Sequence, residues 1–266
     1  MVDTHAHLNF RDFDKDRNQI IKECRENGIF AINVGSDYES SKKAVEIAEK
    51  ENGFYAAVGL HPSNIETKLI KQPDHDFLEK FFDSAKYETL AKSPKVKAIG
   101  ETGIDLWRRP KSKEKRILFE KEQESFFLPQ LELAKKLNLP LIIHCRIAFE
   151  EMFKVLAGAG VTGTAHCFTG TWEQAQKFLD MGFYLGFTGI IFKMDLIEVI
   201  KKCPMDRMLL ETDCPYLSPP DFGEQRNTPL SLPVIAAKIA SIKNLTAEEI
   251  ISRSSENAQK LFKLDF

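Results

Sequence analysis

Eight short apolar runs, each followed by a stretch with helical spacing, restrict this chain more than any other feature. The strand-like runs fall at residues 2–8, 30–35, 55–60, 96–100, 140–143, 162–165, 183–187 and 208–210. Helical spacing covers 14–27, a second helix opened by Ser36 and Asp37, then 76–91, 114–137, 149–156, 173–181, 196–202, 232–243 and 247–262. Gly28 stops the first helix. Pro129 is predicted to kink or divide the helix over 114–137, because its ring removes an amide donor and crowds the preceding turn. The strands read as continuous apolar runs, not strict alternation, as parallel strands buried on both faces do. The 266 residues, 43% of them hydrophobic, show no compositional break and no repeat beyond the strand–helix unit. That predicts one domain over residues 1–266 with an α/β fold, a (β/α)8 TIM barrel. The alternative is a doubly wound open sheet, which would put a site at one switch point instead of around a ring.

The polar residues that interrupt or end these runs are His5 and His7, His61, Glu101, His144, His166 and Asp213. In a barrel these ends converge on one face, where active sites form. His5 and His7 alternate onto the same face of a strand, roughly 7 Å apart along it. Five of the six histidines lie at predicted strand ends, and the sixth, His75, precedes a helix. Each residue alone is better read as structural. Together they would crowd unsatisfied buried polar groups into one mouth, each costing about 1–3 kcal/mol, and metal ligation removes that cost. His5, His7, His144 and His166 supply neutral nitrogens, and Glu101 and Asp213 supply anionic oxygens. Six protein ligands exceed what one metal with an open position needs and suit two divalent ions sharing a carboxylate. Glu101, midway round the barrel, is the candidate bridge. Asp213 is the candidate to bind metal and take a proton from water. The residues argue for a metal-dependent hydrolase. Histidine-rich ligation favours zinc, manganese or iron, with magnesium accepted weakly.

The net charge of −2 excludes a basic nucleic-acid coat protein, though not an enzyme that meets a few phosphates through metal and local positive groups. The five cysteines include no C-x-x-C pair, so a disulfide framework is not expected. Cys145, Cys167 and Cys214 lie in apolar, strand-like stretches and read as small buried thiols. No run approaches the length of a membrane span, and the chain begins straight into a strand without a signal-peptide pattern. A cytoplasmic protein is the expectation, with a nuclear or organellar place left open.

Thr4-His5-Ala6-His7, GLHP at 59–62, GETGID at 100–105, PLIIHCR at 140–146, HCFTG at 166–170 and LLETDCPYL at 209–217 follow one another along nearly the whole chain. In this set and order the chain resembles the TatD family of metal-dependent deoxyribonucleases. The resemblance implies a TIM barrel of the amidohydrolase type and a divalent-metal-dependent nuclease that removes nucleotides from DNA 3′ ends. It implies His5, His7, Glu101, His144, His166 and Asp213 as ligands of two divalent metal ions (Mg, Mn or Zn), with Glu101 bridging and Asp213 activating water. It also implies His61, Asp105 and Arg146 as pocket residues that contact phosphate. Two positions depart from the family pattern: Ile147 stands where many members have Asp, and Arg226-Asn227-Thr228-Pro229 stands for Arg-Asn-Glu-Pro. Both leave the six ligands intact and bear on loop geometry and substrate preference.

The loop at 106–116 carries six basic residues and one acidic residue beside Trp107, on the predicted active face. It is a candidate nucleic-acid contact, by charge and by base stacking, or else a solvated loop at a helix start. Lys193 and Arg226 are expected to add positive potential. The substrate expected is DNA, with RNA open. The competing readings are a barrel hydrolase of a small ester, amide or phosphoester, an aminoacyl-tRNA deacylase, and a binding protein on a dead barrel. The last helix is expected to pack on the barrel. Oligomeric state is not legible.

Overall fold

A computed structural model describes residues 1–71, 78–222 and 226–265. Eight parallel strands form one sheet in sequential order: β1 (Val2–Ala6), β2 (Phe30–Val34), β3 (Phe54–Val58), β4 (Val96–Asp105), β5 (Leu141–Arg146), β6 (Gly163–Ala165), β7 (Tyr184–Phe187) and β8 (Met208–Leu210). Between and after them lie α1 (Arg17–Glu26), α2 (Tyr38–Lys50), α3 (Ser84–Leu90), α4 (Lys113–Leu137), α5 (Phe149–Leu156), α6 (Trp172–Asp180), α7 (Ile197–Lys202), α8 (Leu232–Lys243) and α9 (Ala247–Phe262). This is the expected TIM barrel of the amidohydrolase type. The third helix, predicted over 76–91, is shorter: 78–83 are not helical and α3 opens at Ser84, where Asp83 caps it by accepting from Ala85 N and Lys86 N, while His75 and positions 76–77 fall outside the described residues.

Seven strand pairs run as parallel ladders, and the eighth seam is different. Between β8 and β1 there is a single bridge, Ala6 to Cys214, with Asp213 N donating to His5 O (2.8 Å) and His7 N to Cys214 O (2.9 Å). Side chains replace the missing ladder. Asp3 Oδ1 accepts from Thr212 N (3.0 Å) and His5 N (3.1 Å), and its Oδ2 accepts from Thr212 Oγ1 (2.6 Å). Thr4 Oγ1 donates to Leu210 O (3.2 Å). The seam therefore joins the two strand ends that carry His5, His7 and Asp213.

The barrel interior is filled by Val2, Ile32, Val34, Tyr55, Ala57, Ala98, Ile142, Tyr184 and Leu209, and α9 adds Leu261 and Phe262 to that cluster. A second apolar layer lies between strands and helices, with Ala44, Ile99, Phe127, Phe178 and Ile235 among its members. The final helix packs on the barrel, as its apolar face predicts.

Two further local expectations fail, each for a packing reason. β4 does not stop at Glu101 but continues to Asp105, pairing Thr102–Asp105 with Ile143–Arg146 after a register shift. Gly103 looks like a breaker in sequence. Its φ is +148°, and a Cβ there would overlap the His144 carbonyl, so glycine is what lets β4 pass so close to β5. The second failure is Pro129, which does not divide α4. Phe126, Phe127 and Leu131 bury on both sides of it, and Gln130 bonds both Leu60 N (2.8 Å) and Leu60 O (3.0 Å). Tertiary anchoring overrides the local penalty.

Candidate metal centre

His5 and His7 leave β1 on one face, as the strand period requires, with their Nε2 atoms 3.2 Å apart. His7 Nδ1 lies 2.8 Å from the Val34 carbonyl, which can only accept, so Nδ1 carries the proton and Nε2 offers its lone pair to the site. Phe10 stacks on the His7 ring with centroids 4.2 Å apart. His166, at the end of β6, stacks on His5 with centroids 3.4 Å apart. His5 Nδ1 is buried and has no hydrogen-bond partner.

Glu101 lies at the centre and is buried. Its Oε2 is 3.4 Å from His5 Nε2 and 3.9 Å from His7 Nε2. Its Oε1 is 2.9 Å from His144 Nδ1 and 3.5 Å from His61 Nε2. Asp213 Oδ1 faces His7, His166 and His5 at 3.3, 3.6 and 3.8 Å. Asp105 Oδ2 is 3.1 Å from His144 Nε2. These donors form three overlapping triads: His5–His166–Asp213, His5–His7–Glu101 and His61–Glu101–His144. Of the nine site residues named from the sequence, eight line the cavity here, with Arg146 exposed at its edge, and His5 lies fully buried behind them. Their grouping differs in one respect. His61, expected at the substrate, joins Glu101 and His144 among the donors, whereas His166 joins His5 and Asp213.

The charges respond to this crowding. Burial raises the Glu101 carboxyl, but the surrounding imidazoles, His61 and His5 foremost, outweigh it and hold it well below the usual range. Asp213 is likewise held low against burial, by His166, His7 and His5. Burial lowers His144, yet bonds to Asp105 and Glu101 win and hold it up at about 9. Burial lowers His166 too, and the charges of Glu211 and Asp213 carry it up to about 10. Without a cation, the carboxylates thus keep protons on His144 and His166, whereas burial lowers His5 and takes His61 down to about 3. Three carboxylates and five imidazoles converging at this spacing are a donor set that suits a divalent cation.

Behind these groups stand two acids that sequence reasoning missed. Glu211 is fully buried and accepts from Cys167 N at 2.6 Å and from Thr4 Oγ1 at 3.3 Å. Its Oε1 lies 2.8 Å from His166 Nδ1, near enough for strong charge attraction although off the line of an in-plane hydrogen bond. A Cβ on Gly186 would overlap that carboxylate, so glycine there makes room for it. The other acid is Asp3 at the seam, its carboxyl raised to about 7 by burial against the lowering bonds from Thr212. The available signal was an acid inside an apolar run in both cases.

The cavity over the site has a volume of about 1510 Å³. Of the basic loop, Trp107 and Arg108 line it, and Arg109 and Lys111 do not. Lys193 and Arg226, expected to add positive potential, do not line it either. Arg226 is engaged structurally: its guanidinium pairs with Asp16 Oδ2 at 2.6 Å and lies over the Phe13 ring. Ile147 is exposed at the mouth, while Thr228 is buried beside Asn227. Asn227 ties the loop after β8 together, donating to Thr212 O (3.0 Å) and Tyr216 O (2.6 Å) and accepting from Thr228 N (2.9 Å) and Ser231 Oγ (2.6 Å). All five cysteines are free, with Cys24, Cys203 and Cys214 buried and Cys145 and Cys167 partly exposed, not fully buried as expected. Among the described residues no helix is long and apolar enough to cross a membrane.

Comparison with known proteins agrees with this geometry. A family described as TatD related DNase matches residues 2–263. An uncharacterized metal-dependent hydrolase, YabD, of Bacillus subtilis is 38% identical, with 100% of each chain covered. The 3′-5′ ssDNA/RNA exonuclease TatD of Pantoea vagans is 34% identical, covering 99% of this chain and 100% of its own. The crystal structure of YjjV, a TatD homologue from Escherichia coli K12, superposes with a TM-score of 0.84 at 28% identity, over 100% of this chain and 98% of that one. The chain belongs to the TatD-related DNase family, a family of metal-dependent hydrolases.

Proposed function

We propose that this protein hydrolyses phosphodiester bonds of single-stranded DNA, and of RNA, stepwise from the 3′ end, with two divalent cations held at the barrel mouth. The observation that carries the reading is Glu101, whose two oxygens face different donor groups. His5, His7 and Asp213 would hold one cation, His144 with His61 or His166 the other, and Glu101 would serve both. The relatives named as exonucleases support the nucleic-acid substrate. The free thiols suit work in a reducing compartment such as the cytoplasm.

Divalent cations bound there would lower the pKa of adjacent water and offset charge on the phosphodiester. The chain's own groups do the rest. Asp213, kept ionised by its imidazoles and partly exposed to the cavity, is the acceptor for a proton from attacking water. His7 is fixed in one tautomer by Val34 O and one orientation by Phe10, so its Nε2 cannot turn from the site. Asp105 holds His144 from the far side and fixes its ring. Arg146, exposed where it lines the cavity, would meet phosphate.

The test uses chelator-stripped protein and 5′-labelled single-stranded DNA, with magnesium, manganese or zinc added in turn. A ladder shortening from the 3′ end only when metal is present is the expected result. Intact DNA under all three metals, together with cleavage of a small ester, would replace this reading with a small-molecule hydrolase.

A further inference from the structure

Among the described residues ten large apolar side chains are exposed, and four of them, Trp107, Ile147, Met194 and Tyr216, line the cavity over the metal donors. Trp107 stands out by its partner. The Arg146 guanidinium lies 4.3 Å from the centre of its ring, and the indole remains 58% exposed. An indole that stays this exposed beside a stacked cation leaves apolar surface in water and can accept another flat group. The pair is fastened to the site. Trp107 N donates to Asp105 Oδ1 at 2.7 Å, and the other oxygen of that carboxylate is 3.1 Å from His144 Nε2. Register does the same for Arg146, which pairs with Asp105 across β4 and β5.

The charge around the mouth is lopsided. On the β1–β2 side the lining carries Asp12, Asp14, Asp37 and Glu39 against Arg11 and Lys43. On the β4–β5 side, apart from Glu101 and Asp105, which face the metal donors, it carries Arg108 and Arg146 against Glu122. Neither of those arginines has a carboxylate within ion-pair distance among the described residues. A polyanion is repelled on the first side and met by unspent positive charge on the second.

We infer that Trp107 and Arg146 form a nucleotide subsite on the β4–β5 rim, where the indole stacks on a base and the guanidinium takes the neighbouring phosphate. The single strand leaves the metal donors over this rim and not over the acidic β1–β2 side. The inference rests on the nucleic-acid reading above and adds the path of the strand and the residues that hold it. It requires unpaired bases, because a stacked duplex offers no free base face except at its ends.

The experiment needs no catalysis. Binding of a fluorescein-labelled oligothymidylate to chelator-stripped full-length protein is followed by anisotropy, beside the same oligomer built of abasic sugars. Removing one stacked base typically weakens binding about tenfold, so Trp107→Ala should raise Kd about tenfold for oligothymidylate. The same variant should shift Kd less than about twofold for the abasic oligomer, which has no base to stack. Trp107→Phe keeps a ring and should recover most of the affinity. Melting temperatures of both variants check folding, and a Trp107→Ala that does not fold leaves Trp107→Phe and the wild-type contrast between the two oligomers to decide. Wild-type protein that binds neither oligomer would overturn the nucleic-acid reading and this subsite with it. Wild-type binding that distinguishes the two oligomers no better than Trp107→Ala does would overturn the subsite alone.

Discussion

Replacing Glu211 tests whether the metal donors depend on buried groups that never touch substrate. Glu211→Gln keeps the shape of the side chain. Its oxygen can still accept from Cys167 N, and its new amide can face Thr4 Oγ1, which retains Leu210 O as an acceptor. What disappears is the negative charge 2.8 Å from His166 Nδ1. Hydrogen bonds to charged groups contribute about 1.5–3 kcal/mol and neutral ones about 0.5–1.5, so the fold should lose only about 1 kcal/mol. Metal affinity should fall much further, about 10–100-fold, because outer partners of this kind orient a ligating imidazole and raise its basicity. Glu211→Ala is different. It strands the Cys167 amide and the Thr4 hydroxyl and opens a cavity, and should cost about 3–5 kcal/mol. Calorimetric titration of manganese or zinc into stripped protein gives the affinity, and urea unfolding gives the stability. Glu211→Gln that binds metal like wild type, or that is as unstable as Glu211→Ala, would refute the reasoning.

Two further outcomes follow from the same geometry. His144 and His166 sit at about 9 and 10 when folded, above the unfolded value of about 6.5. Their stabilisation of the metal-free protein is therefore complete below about pH 6.5 and is lost as pH rises towards those values. The melting temperature in chelator should already fall between about pH 6.5 and 7.5, below the range in which thiols titrate, and saturating metal should remove the drop. Asn227→Ala strands Thr212 O, Tyr216 O and Thr228 N behind the Asp213 loop, and should lower unfolding free energy in urea by at least about 3 kcal/mol.

The barrel was legible because parallel strands buried on both faces have to be continuously apolar, and helix spacing between them is hard to mistake. β8 and the helices at Phe149–Leu156, Leu232–Lys243 and Ala247–Phe262 begin and end where the pattern predicts. β4 was shortened in the reading because glycine at 100 and 103 normally ends a strand, whereas here Gly103 answers to the backbone of the next strand. The donor set was legible from its placement at strand ends. Its grouping was not, because whether His61 or His166 faces Glu101 at short range depends on ring orientation, which no spacing encodes. Arg226 was misread for a related reason. Its partner Asp16 lies 210 positions away in sequence, and only the fold brings the two together. Asp3 and Glu211 were passed over because each is two residues from a more conspicuous ligand.

The most direct test of the account is metal content measured with phosphodiester cleavage in stripped and reloaded protein, wild type beside Glu101→Gln. Wild type should rebind two divalent ions per chain and recover cleavage. Glu101→Gln, with one oxygen no longer able to ligate as an anion, should hold at most one and stay inactive. Full metal content and full activity in Glu101→Gln would contradict the central place given to that carboxylate.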